Sequence, residues 1–182
     1  MENKKSVAIH WFRRDLRLHD NNALYHALQG DNPLLPIFIF DSNILDKLEN
    51  KKDARVQFIY ESLSNIQQQI RKFNSSVLIK IGNPVECWKN ILNEYDVKAV
   101  YTNHDYEPYA LQRDQEIESL LNSNNIPFIT FKDQVIFEKS EVVKDDGKPY
   151  TVYTPYSRKW RSRLNAEGIP SYDSQLLLKN LV

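Results

Sequence analysis

The sequence predicts an α/β fold: a Rossmann-like, doubly wound parallel sheet of five strands in the order 3-2-1-4-5, with helices on both faces. Three observations carry this. Short unbroken apolar runs, such as Val7 to Phe12 and Leu34 to Phe40, read as strands buried on both faces. Between them lie stretches with apolar residues at spacings of three and four, the mark of a helix with one buried side. Strand and helix alternate along the chain, and such crossovers are right-handed and join parallel strands.

The first strand is Ser6 to Phe12. A helix from Asn21 to Gln29 follows, with Asp20 or Asn21 as its cap. Gly30-Asp31-Asn32-Pro33 turns the chain into the second strand, Leu34 to Phe40, which Asp41 closes. A short helical turn covers Asn43 to Leu48. A long amphipathic helix then runs from Asp53 to Lys72, with Val56, Ile59, Tyr60, Leu63, Ile66, Ile70 and Phe73 on one face. Val77 to Ile81 is the third strand. Asn83-Pro84-Val85-Glu86 has the layout of a helix start, and Val85, Trp88, Ile91, Leu92 and Tyr95 form its apolar stripe. Lys98 to Thr102 is the fourth strand, Pro108 opens a helix toward Asn122, and Pro127 to Phe131 is the fifth strand.

Beyond Phe131 the alternation stops. Glu141-Val142-Val143 and Tyr150-Thr151-Val152-Tyr153, joined by Asp145-Asp146-Gly147-Lys148-Pro149, predict a hairpin or extended loop. The tail from Asn165 to Val182 reads as loop, and the whole stretch after about Phe131 is expected to be partly mobile, because its apolar and aromatic residues lack a partner.

Composition excludes several classes. Lys and Arg balance Asp and Glu at 24 each, so the chain carries no strong nucleic-acid footprint of its own. The single cysteine, Cys87, excludes an internal disulfide and a Cys-rich metal site. The four histidines lack metal spacing. No apolar run reaches the roughly 18 residues of a membrane span, and the start lacks a signal-peptide layout, so a soluble, cytoplasmic protein is expected. With only four glycines there is neither a Gly-x-Gly-x-x-Gly turn nor a P-loop. A dinucleotide-type Rossmann site or an adenylylating enzyme is therefore disfavoured.

In a 3-2-1-4-5 sheet the switch point lies between strands one and four, and ligands bind outside the carboxyl ends there. Topology alone puts Arg13, Arg14, Asn103, His104 and Asp105 at that crevice, with Asp41 beside it from strand two. The plain alternative for these charges is a solvated rim. Trp11 and Trp88 fall in apolar patterns and are expected in the core.

The run Trp11-Phe12-Arg13-Arg14-Asp15-Leu16-Arg17-Leu18, then Asp20-Asn21-Asn22-Ala23-Leu24, closely resembles the amino-terminal signature of the DNA photolyase and cryptochrome family. The resemblance extends through Pro36 to Asp41, Arg55 to Leu63, Val100 to Tyr109, Arg113-Asp114, and Pro149 to Trp160, in the same order. It implies a light-driven protein of two parts, an α/β domain holding an antenna chromophore and a larger helical domain binding FAD. In photolyases, reduced FAD donates an electron to a pyrimidine dimer in UV-damaged DNA. By this resemblance residues 1–135 are the antenna domain, and 136–182 a connector toward a helical FAD domain missing here. The fragment alone is expected to be inactive in repair. A cryptochrome photoreceptor is the nearest alternative parent, and a chromophore-free interaction module is a rival of another class.

Members that bind 8-hydroxy-5-deazaflavin resemble this chain at Arg14, Asp41, Arg55, Asp105 and Arg113. Those five are the candidate cofactor-binding residues. No catalytic or metal-binding residue is expected. Arginines suit an anionic ring, and a carboxylate suits ribityl hydroxyls. Folate-binding members carry Asn-Glu where this chain has Tyr109-Ala110, so a deazaflavin or flavin is favoured over methenyltetrahydrofolate. For Asp105 and Arg113 the bland alternative is an ion pair between the two around a helix start, and for Arg55 a solvated charge.

Overall fold

Side chains alternate along β1 (Lys5–Phe12), and that alternation divides the core into two layers. Val7, Ile9 and Trp11 point to one face, Ala8 and Phe12 to the other. The structure is a computed structural model describing residues 4–50 and 53–182. Its sheet has five parallel strands in the order β3-β2-β1-β4-β5. These are β1, β2 (Leu34–Asp41), β3 (Leu78–Gly82), β4 (Tyr95–Asn103) and β5 (Phe128–Phe131). The predicted order and helices on both faces are thus observed.

Helices α4 (Pro84–Glu94) and α5 (Pro108–Ser123) cover the Trp11 face. Trp88, Ile91, Ile117 and Leu121 from these helices are fully buried there. Helices α1 (Asn22–Leu28) and α3 (Ala54–Ile70) cover the Phe12 face. Leu63, Ile66 and Ile70 anchor α3, each burial stabilising by roughly 1.5–3 kcal/mol. Tyr60 and Phe73 were expected on that stripe, but Tyr60 is 62% exposed and Phe73 39%. Tyr60 lies one residue past Ile59, a turn of about 100° away from the sheet. Asn21, Asp53 and Asn83 cap their helices through side-chain oxygens. Asp41 does the same for α2 (Ser42–Leu45).

Tyr95 does not extend the stripe of α4. It is extended and pairs with Lys5, opening a longer β4 than expected.

The largest correction lies after β5. No hairpin forms between 141–143 and 150–153. Residues 132–152 are irregular, closed by the turn in which the Lys144 and Lys148 backbones bond. Tyr153–Glu167 is helix α6, stopped at Gly168 with φ 71°. Pro155 is tolerated because it stands in the first turn, where no intrahelical N–H is needed. The tail is not loop alone either. A 3₁₀ helix, Ser174–Asn180, buries Leu178, and Leu181 is buried beyond it against the α1 face. Val182 N donates to Leu34 O at 2.9 Å, and Leu34 and Leu181 form a parallel bridge. The partner these apolar residues lacked in the sequence is the sheet's own open flank.

His10 is a fully buried exception among apolar neighbours. Neither ring nitrogen has a hydrogen-bond partner among the described residues. Burial pushes its pKa down to about 4, with the nearby Asp15 carboxylate opposing that shift.

Candidate functional site

At the carboxyl end of the sheet the chain leaves β1 through loop 13–21 and β2 through α2. Between them opens a groove of about 320 Å³, floored by strand ends and walled by α2, α3 and α5. All five candidates line it. Arg14 comes from the loop after β1, Asp41 from the last position of β2, Arg55 from the first turn of α3, Asp105 from the loop after β4, and Arg113 from α5. The switch-point crevice is a separate pocket of about 200 Å³, lined by Arg13, Arg14, Asn103, His104 and Asp105 as expected. Asp41 is not in that crevice but in the groove beside it.

The five differ in how they are held. Asp41 is buried; it caps Asn43 N at 2.9 Å and accepts the Tyr109 hydroxyl at 2.6 Å. Asp105 is buried as well. Its Oδ1 lies 3.5 Å from Arg14 Nη1 and 3.4 Å from Glu107 N. Arg14 pairs with Glu107 at 2.7 Å, the main cause of its raised pKa. Arg55 is 74% exposed and grips its own cap residue, Asp53, through two bonds. That pair pulls the Asp53 pKa down to about 2. Arg113 is buried and does not pair with Asp105, contrary to the local ion pair considered from sequence. It bonds Asp114 at 3.0 Å and lies over the Trp11 and Tyr109 rings, 5.0 and 6.0 Å from their centres.

Sequence reasoning missed several contributors. Tyr109 lines the groove, and burial beside Asp41 pushes its pKa up. Its place one residue after Pro108, at the mouth of α5, was the available signal. Trp11 is core, as expected, and also part of the groove wall. Phe38, Phe40, Ile44, Leu45 and Ile59 supply an apolar wall. Arg13 is buried on Asp114 at 2.6 Å and also bonds Asn103 O. His104 stands outside the groove, held by Glu138 at 2.9 Å and Thr130 at 2.9 Å.

The donor set fits a flat, polar-edged ring. An apolar wall faces guanidinium groups, the buried Asp105 carboxylate is part of the lining, and the volume is at the low end of small-molecule sites. Among the described residues no cluster of His, Cys, Asp and Glu has metal-site geometry, and no helix is long and apolar enough to cross a membrane.

Fold and groove together define a doubly wound α/β domain whose site is built without a glycine-rich phosphate loop. The chain belongs to the DNA photolyase family, which it matches over residues 8–173. It is 31% identical over 153 residues to a deoxyribodipyrimidine photo-lyase of Synechococcus, covering 84% of this chain and 31% of that one. A class III photolyase from Agrobacterium tumefaciens superposes with a TM-score of 0.76 at 25% identity, over 95% of this chain and 35% of that one. A Synechocystis cryptochrome superposes at 0.83 with 16% identity over 100% and 38%, a likeness of fold alone. The chain spans about a third of the length of these curated relatives and corresponds to their amino-terminal α/β domain. The family binds flavin and antenna chromophores and acts with DNA.

Proposed function

We propose that the groove holds the antenna chromophore of a deoxyribodipyrimidine photolyase, and that the chromophore is 8-hydroxy-5-deazaflavin or a flavin. One observation carries the reading: five residues from five separate segments, chosen from sequence, line a single groove. Such convergence of distant charges serves a ligand better than it serves stability, since exposed ion pairs such as Arg14–Glu107 contribute little. Arg14 and Arg55 bind the anionic edge of the ring, each exchanging a surface carboxylate for it. The Asp105 carboxylate accepts a ribityl hydroxyl. Phe38, Phe40 and Ile59 exclude water from the ring face. The chromophore supplies light absorption; the protein supplies position and a dry wall. Tyr109, fixed on Asp41, occupies the place of the folate family's asparagine, which supports a deazaflavin or flavin over methenyltetrahydrofolate.

In this proposal residues 1–135 hold the chromophore and 136–182 lead toward the FAD-binding helical domain, where repair takes place. Val152 and Tyr153, exposed at the start of α6, suit that contact. The domain alone then repairs no dimers under blue light, and its compartment is the cytoplasm. Titration with 8-hydroxy-5-deazaflavin, FMN and methenyltetrahydrofolate tests the reading. The first or second should bind with a shifted visible band. Binding of neither, or binding unaffected by Arg14→Ala and Asp105→Ala together, overturns it.

A further inference from the structure

Two residues able to give up an electron line the groove, and their surroundings act in opposite senses. The Trp11 ring centre lies 5.3 Å from the Arg13 guanidinium carbon and 5.0 Å from that of Arg113. A cation attracts the π face of a neutral indole and repels the same ring once an electron has left. Both arginines are buried, so water screens them little. Tyr109 is placed differently. Its hydroxyl donates to Asp41 Oδ2 at 2.6 Å and accepts from Asn43 Nδ2 at 3.0 Å. A phenol that loses an electron becomes a strong acid, and this carboxylate can take the proton without any heavy atom moving. The ring is then neutral, and the Arg113 charge 6.0 Å away has nothing to repel.

We propose that Tyr109 and Asp41 form a proton-coupled electron donor to a photoexcited flavin in the groove, with Trp11 held out of that role by Arg13 and Arg113. The proposal rests on the chromophore reading above. One electron passes from Tyr109 to the excited flavin, and the phenolic proton passes to Asp41. Tyr109 becomes a neutral phenoxyl radical and Asp41 a neutral acid. Return of electron and proton restores every group, so no outside reductant is consumed. The pair thereby sets how long a flavin in this groove stays excited, and so how well it can pass its energy on.

The test uses FMN as probe. Anisotropy establishes binding, and time-resolved fluorescence follows the bound fraction in H2O and D2O. In the unaltered protein the decay should be fast and slower in D2O. Tyr109→Phe should lengthen it several-fold, abolish the isotope effect, and exceed the effect of Trp11→Phe. Tyr106→Phe, whose hydroxyl bonds Glu138 outside the groove, should leave the decay as it was. Bound FMN with equal decay in unaltered protein and Tyr109→Phe overturns the donor pair while leaving the chromophore site standing. A larger lengthening in Trp11→Phe overturns the role given to the arginines. Absence of FMN binding defeats the flavin reading of the site, and this proposal with it.

Discussion

Arg13, at the end of β1, closes on Asp114 of α5 at 2.6 Å, and Arg113 bonds the same carboxylate from the neighbouring position. The two guanidinium side chains are only 7% and 8% exposed. One carboxylate therefore balances two nearly dry cations and fixes α5 against the strand end that bears Arg14. Asp114→Ala should cost roughly 3–5 kcal/mol, since it leaves like charges buried together. Urea unfolding measures this; a loss below about 1 kcal/mol would show that water reaches the cluster.

Acid should weaken the fold through His10. Its folded pKa, pushed to about 4 by burial, lies below the ordinary value of 6.5. Above that ordinary value neither state binds the proton and His10 adds no pH dependence. As pH falls from 6.5 toward 4, the unfolded chain takes the proton first, so stability is lost across that window. The gap amounts to about 3 kcal/mol at its lower end. His10→Leu should remove most of this slope, which unfolding curves at pH 7, 5.5 and 4.5 would reveal. An unchanged slope would assign acid sensitivity to other groups.

Ligand affinity should depend on the Asp105 carboxylate, which lines the groove. Asp105→Ala is expected to weaken chromophore binding by about 1–3 kcal/mol, the cost of an unmade buried hydrogen bond. Arg55→Ala should cost less, because Arg55 is exposed and must leave Asp53 to reach a ligand. Isothermal titration of both variants checks the order.

The tail should behave as part of the domain. Leu178 is buried on the α1 face, so Leu178→Ala is expected to destabilise by about 2–5 kcal/mol. Amide exchange at Val182, bonded to Leu34 O, should be slow, whereas exposed loop amides near Gly147 exchange fast. Rapid exchange at both places would restore the expectation of a mobile tail.

The sequence by itself determined the sheet and the end of it where charged residues gather. Apolar runs such as Val7 to Phe12 reveal buried strands because burial on both faces leaves no room for polar alternation. Asn21, Asp53 and Asn83 reveal helix starts because capping is a local bond. Strand order followed from the doubly wound class that the alternation of strand and helix predicts, and with it the end of the sheet where Arg14, Asp41 and Asp105 meet. Tertiary structure alone decided the rest. Helix α6 has no buried residue to leave an apolar stripe, and the tail's partner is a surface that exists only once β2 and α1 are assembled. Pairing was equally hidden. Arg113 bonds Asp114 rather than Asp105, and Tyr109 reaches Asp41, 68 residues away, because α5 sets their side chains over strand ends that spacing cannot position. Local periodicity is written in the chain; the direction of a long polar side chain is settled by which charges the packed elements bring within its reach.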